Sequence, residues 1–269
     1  MRHLYLIGLL LVVSACDEDD KKAKLLAMTA SSADAAASAA PLANASAAPS
    51  ASASSAPVDS KPIVCPTVTG ATDFTTTDTD LDAEVRRKLQ KKPGDPVKYG
   101  DLATIKSLDL TKKATLDELD PCVMPKFTAI KHLFLGKGGL RDLRPIATLT
   151  QLETLRASIN EVEDLKPLEK LVLLDRLDLG RTHVRDLTPI GNLVNLTELE
   201  LDDTQISDVA PLAKCKKLEK LSIKHTNVTD VSPLKDVKTL KMLWVEGCAI
   251  NNLDSLDSLK ARGLKIIVK

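Results

Sequence analysis

Between Ile130 and Ala261 the apolar positions return on a fixed schedule. Written in rows of 22, the chain reads IKHLFLGKGGLRDLRPIATLTQ (130–151), LETLRASINEVEDLKPLEKLVL (152–173), LDRLDLGRTHVRDLTPIGNLVN (174–195), LTELELDDTQISDVAPLAKCKK (196–217), LEKLSIKHTNVTDVSPLKDVKT (218–239) and LKMLWVEGCAINNLDSLDSLKA (240–261). Apolar residues at row positions 4 and 6 alternate with polar ones, the pattern of a half-buried strand. Positions 11, 14, 17 and 20 then return apolar side chains to the same interior. Position 13 carries Asp142, Asp164, Asp186, Asp208 and Asp230, then Asn252; three residues later stand Pro145, Pro167, Pro189, Pro211 and Pro233, then Ser255. An Asp turns the chain by accepting from backbone amides, and Pro presets φ for the first turn of a short helix. A longer, less regular unit, Ile105 to Ala129, precedes the series. Seven such units (105–261), none able to bury its apolar side alone, predict a stacked solenoid.

Period and motif together resemble the leucine-rich repeats of internalin-type bacterial proteins, LxxLxxLxLxxTxIxDLxPLxxL, over residues 105 to 268. The resemblance implies an α/β solenoid: a leucine-rich-repeat horseshoe with a parallel concave β-sheet, a convex side of short 3-10 or irregular segments, and a helical N-terminal cap. One position departs from the motif. Position 9 holds Gly138, Asn160, Thr182, Thr204, Thr226 and Cys248, so Thr hydroxyls or water are expected to replace part of the inward Asn ladder. In the cap region, 61–104, TDTDLDAEVRRKLQKK (77–92) places Leu81, Val85 and Leu89 on one helical face. A helix over about 80–91 is predicted, N-capped by Thr79 or Asp80. At the far end, residues 262–269 are expected to close the stack with one more strand.

The N-terminal residues follow different rules. MRHLYLIGLLLVVSAC has a basic residue, an apolar run from Leu4 to Val13 and then small residues; it is too short to span a bilayer and reads as a signal peptide over 1–15. Val13-Ser14-Ala15-Cys16 resembles the lipobox of bacterial lipoproteins, which implies cleavage before Cys16 and lipidation there. Several acyl chains on one residue would suffice for stable anchoring without a span. From 16 to 60 the chain is a short charged stretch followed by Ala, Ser and Pro, too little to bury to offset its ordering entropy. A flexible tether is expected, its 34 residues from Ala27 to Ser60 reaching roughly 30 Å on average. Asp17 resembles an inner-membrane retention signal of some Gram-negative lipoproteins. The expected location is the bacterial cell envelope: the periplasmic face of the inner or outer membrane, or the cell surface.

Composition narrows the function. Lys+Arg and Asp+Glu balance at 37 each and aromatics are only 2%, which argues against nucleic acid: there is neither a basic field nor a base-stacking platform. Four histidines show no metal-ligand spacing, and no HExxH, CxxC pair or GxSxG occurs. No catalytic residue, metal or cofactor is expected, and the chain is read as a monomer. Of the five cysteines, Cys65 and Cys122 fall in the cap and the irregular first repeat of an exported chain, and they are expected to form a disulfide. Cys215 and Cys248, in non-adjacent repeats, read as buried thiols.

Recognition is the remaining role. Positions 3, 5 and 7 project from the predicted strands across the concave face. They bring Phe134, Arg156, Arg176, Asp178, Glu198, Glu200, Asp202, Lys220, Lys224, Met242 and Trp244 onto one candidate surface for an unidentified protein or peptide partner. Aromatic and Arg residues dominate binding hot spots, so Phe134, Arg156, Arg176 and Trp244 lead. Trp244 could instead pack on Met242 and the closing strand, with Lys265 over its ring, and Phe134 could contact the cap. The acidic stretch LTELELDDTQISDVAPL (196–212) looks at first like a catalytic or metal site. In register, however, Glu198 falls between Arg176 and Lys220, Asp202 faces Lys224, and Asp203 lies between Arg181 and His225. Only Glu200, beside Asp178, has no expected partner, and two carboxylates make a weak cage for a divalent ion. Two other readings stay open: an envelope spacer without one specific ligand, and glycan or peptidoglycan binding, for which there are too few neighbouring aromatics.

Overall fold

The computed structural model describes Cys65 and residues 73–269. The expected signal peptide, lipidated Cys16 and tether lie outside the described residues. Eight three-residue strands form one parallel sheet in chain order: β1 (Ser107–Asp109), β2 (His132–Phe134), β3 (Thr154–Arg156), β4 (Arg176–Asp178), β5 (Glu198–Glu200), β6 (Lys220–Ser222), β7 (Met242–Trp244) and β8 (Lys265–Ile267). Strand-to-strand register repeats the 22-residue row: Leu133 pairs with Leu155, Leu155 with Leu177, Leu177 with Leu199 and Leu199 with Leu221. The middle residue of each strand therefore points inward and its two neighbours outward.

Each row contributes a similar aliphatic set to one continuous core. In row 174–195 these are Leu174, Leu177, Leu179, Val184, Leu187, Ile190 and Leu193, all at most 2% exposed. Truncating any of these Leu or Ile residues to Ala should cost about 2–5 kcal/mol, because a close-packed stack collapses only partly into the gap.

The return path is made by 3-10 turns. Asp142, Asp164, Asp186, Asp208 and Asp230 each accept a bond from the backbone amide two residues on, at 2.7–2.9 Å. The Pro that follows is the second residue of the turns Arg144–Ile146, Lys166–Leu168, Thr188–Asn192, Ala210–Lys214 and Ser232–Asp236. In the last row Asn252 does something else. Its Oδ1 accepts from Val231 N and its Nδ2 donates to Asp230 Oδ1, fastening the row to its predecessor. Without Pro, the turn Leu253–Leu256 runs on into α3 (Asp257–Lys260), after α1 (Thr79–Leu89) and α2 (Tyr99–Leu102) earlier in the chain.

Helix α1 covers the β1 end of the sheet. It starts one residue before the predicted stretch and stops two short of it, since Gln90 adopts a left-handed φ of 57°. The N-cap is Asp78, not Thr79 or Asp80: its carboxylate accepts from the amides of Asp80 and Leu81 and pairs with Lys113 at 2.7 Å. Leu81 and Val85 are buried and Leu89 packs against the core. Glu84 Oε1 accepts from the Asp109 amide at 3.2 Å, so a side chain satisfies a donor on the open edge strand. Cys65 and Cys122 are disulfide-bonded with Cα atoms 5.5 Å apart. A loop closed over 57 residues removes entropy from the unfolded chain worth about 4 kcal/mol.

Candidate concave binding groove

Inward-facing position 9 satisfies backbone carbonyls at the strand ends. Asn160 Nδ2 donates to the carbonyls of Gly136, Ala157 and Ser158 at 2.9–3.2 Å. Thr182, Thr204 and Thr226 each donate to the carbonyl three residues back, at 2.7–2.8 Å. Cys248 Sγ lies 2.9 Å from the Ile223 carbonyl and 3.3 Å from Thr226 Oγ1. At Gly138 no side chain takes part in the ladder. The backbone of Leu116, in the long first repeat, runs through the space a side chain would need: an added Cβ would sit 2.6 Å from its carbonyl carbon. Burial raises the thiol of Cys215, in its apolar slot, to about 11.

Just past β3 to β7, position 8 turns the chain in the left-handed region: Ile159, Arg181, Asp203 and His225 have φ of 53–59°, and Gly247 has 72°. This conformation is strained for residues with a Cβ, most of all a β-branched one. It also swings these side chains onto the rim of the sheet, where His225 lies directly over Gly247.

Outward side chains of β2 to β7 then line a groove of about 510 Å³. Phe134 and Trp244 line it together with nearly all the outward candidates of the sequence, Arg156, Arg176, Asp178, Glu198, Glu200, Lys220 and Lys224. Asp202 lines an adjoining rim depression of about 360 Å³ with Arg181, Asp203, His225 and Glu246. Met242, partly exposed, stands on β7 beside Lys265 in register, while Trp244 is flanked in its row by Ser222 and Ile267. The register thus sets Ile267, not Lys265, beside Trp244. Among the lining residues not singled out from the sequence are Thr154 in the groove and Ile159 in the depression. Ile159, 41% exposed, could have been noticed as the one apolar side chain at a position otherwise held by Lys, Arg, Asp, His or Gly.

Charges on this face are mostly matched between neighbouring strands. Glu198 lies 2.7 Å from Lys220 and 3.8 Å from Arg176. Asp202 pairs with Lys224 Nζ at 3.0 Å and accepts from the Lys224 amide and the Ser222 hydroxyl. The Asp202 bond raises the Lys224 amine above its usual value. Asp203 lies between Arg181 at 3.6 Å and His225 Nδ1 at 3.2 Å. Asp178 is turned to Arg156 at 3.2 Å, the Ser158 hydroxyl and the Gly180 amide. Glu200 alone among these carboxylates has no bonded partner among the described residues. Its carboxyl is raised above the usual range, first by partial desolvation and then by the charges of Asp178 and Asp202. Among the described residues no group of three or more His, Cys, Asp or Glu is placed to hold a metal ion.

The repeats match a family model described as Leucine Rich repeats (2 copies) over residues 194–236. No curated protein matches. Among solved structures, an internalin from Listeria monocytogenes is similar at 27% identity and a TM-score of 0.62, over 68% of this chain and 54% of that one. The chain thus spans about half the length of that internalin. Internalin C2 of the same organism aligns at 23% identity and a TM-score of 0.60, over 71% of this chain and 93% of that one. A leucine-rich-repeat protein of Leptospira interrogans aligns at 19% identity and a TM-score of 0.50, over 62% and 49%. The residues from 105 onward form a leucine-rich-repeat solenoid with internalins as structural neighbours, its concave sheet lined by the candidate residues.

Proposed function

We propose that the protein is a lipid-tethered, non-catalytic recognition module that binds a protein or peptide partner in the concave groove. The observation that carries this reading is the groove itself. A rigid parallel sheet displays charged side chains along a continuous floor, with a large aromatic near each end. Aromatic and Arg side chains held on a stiff scaffold lose little conformational entropy on binding and are enriched among contacts that dominate affinity. Tethering is supported by the Val13-Ser14-Ala15-Cys16 motif, and a lipid anchor there would hold the module in the cell envelope. The test is crosslinking and capture from native envelope with the wild-type chain and with a Phe134→Ala, Arg176→Ala, Trp244→Ala variant. The variant is expected to keep an unfolding free energy within about 1–2 kcal/mol of wild type, since each change lies outside the core, and to lose the captured species.

A specific observation favours a second reading. Because Glu198, Asp202 and Asp203 are neutralised by this chain's own Arg and Lys residues, much of the face is self-satisfied, as an envelope spacer would require. Unchanged capture by the triple variant would support the spacer.

A further inference from the structure

The groove is not uniform along its length. At its middle stand Asp178 and Glu200, with Asp202 in the adjoining depression, and the two nearby cations, Arg156 and Lys224, are already engaged, one by Asp178 and one by Asp202. Glu200 is left facing the groove without a partner. Phe134 stands three strands before it in the outward row and Trp244 two strands after. At about 4.8 Å per strand these separations are about 14 and 10 Å. An extended chain advances about 3.3 Å per residue, so they correspond to about four and three residues of a peptide lying across the strands.

Building on the concave-face reading above, we propose that the groove selects an extended peptide segment with a central Arg or Lys seated on Glu200 and large apolar side chains three to four residues away on either side, against Phe134 and Trp244. Charge complementarity names the central residue: a cation there would give Glu200 the partner it lacks, whereas an acidic residue would set a further carboxylate beside Glu200 and Asp178. The separation of the aromatics names the class of occupant. Two rings about 24 Å apart cannot stack on adjacent sugars, but they can hold the ends of an extended chain.

The experiment uses a displayed library of random dodecapeptides, panned on the immobilised protein and on two variants, Glu200→Lys and Phe134→Ala, Trp244→Ala. Wild type is expected to enrich peptides with a basic residue flanked on both sides by large apolar ones. Glu200→Lys should lose that basic preference, and the double aromatic variant should lose enrichment altogether. A synthetic copy of an enriched peptide should bind Glu200→Lys about tenfold or more weakly, and exchanging its basic residue for Glu should restore binding. Glu200→Gln, which changes charge with little change of shape, should show an intermediate loss. Enriched peptides without a basic residue, or a preference unchanged on Glu200→Lys, would overturn this inference and leave concave-face recognition standing provided the aromatic variant still abolishes binding. Enrichment indifferent to Phe134 and Trp244, or no enrichment at all, would overturn both.

Discussion

Glu200 carries a cost in the folded state that follows from its surroundings. Partial desolvation and the charges of Asp178 and Asp202 favour its protonated form, and Arg156 and Lys224 relieve this only in part. A carboxyl whose folded value lies above its ordinary value of 4.5 holds its proton longer in the native than in the unfolded chain, so stability falls as pH rises through that interval. Glu200→Gln should therefore melt at a higher temperature than wild type near neutral pH. The gain should shrink as pH falls through the raised value and vanish below the ordinary one. Thermal unfolding across pH checks this, and a gain independent of pH would contradict it. Ile159 carries a different cost, a β-branched side chain in the left-handed region with 41% of its surface exposed. Asn tolerates that conformation much better, so Ile159→Asn should stabilise by about 1 kcal/mol, read as a shift of denaturant midpoint at constant slope. The 22-residue alignment shows that position 8 is variable but not that it is strained, because a backbone angle leaves no mark on side-chain pattern until a residue poorly suited to it appears.

At the scale of the element, the recurring Asp and Pro have local work that the sequence makes visible: the carboxylate accepts from an amide two residues on, and the ring starts the 3-10 turn. Such contacts span only a few residues, so spacing alone is enough to find them. Gly138 shows the opposite case. It looks like one loss from the Asn ladder, yet it exists because the extended first repeat routes the Leu116 backbone through the slot. Gly138→Ala should cost about 2–3 kcal/mol, as overpacking against backbone does. Gly139→Ala, whose added methyl would meet only the Asp117 side chain at 3.2 Å, should cost far less. Chemical denaturation of the pair would distinguish the two, and equal losses would show that Leu116 can move aside. The N-cap was likewise misplaced by one or two residues, because Thr79, Asp80 and Asp78 are all chemically suited. Lys113, 35 residues away, draws the Asp78 carboxylate into an ion pair at 2.7 Å, a contact that local sequence does not display.

For the whole molecule, the stack acts as a scaffold whose ends are closed by dissimilar parts, α1 with Glu84 on the β1 edge and β8 on the β7 edge. The proposed tether is tested at this scale. Cys16→Ser should move the protein from the membrane to the soluble fraction on cell fractionation, and retention in the membrane would exclude the lipid as its anchor. The sequence alone determined the repeat, the parallel register and which side chains share a face, since a solenoid is held by contacts between equivalent positions of adjacent rows and periodicity encodes those directly. It also indicated which charges oppose which, because register follows from the row length. Only the tertiary structure decided what depends on unequal neighbours: that Asp178 turns to Arg156, that Ile267 rather than Lys265 stands beside Trp244, and that Leu116 fills the place of a missing side chain. These depend on rotamers and on irregular units at the ends of the stack, and a period carries no information about where it is broken.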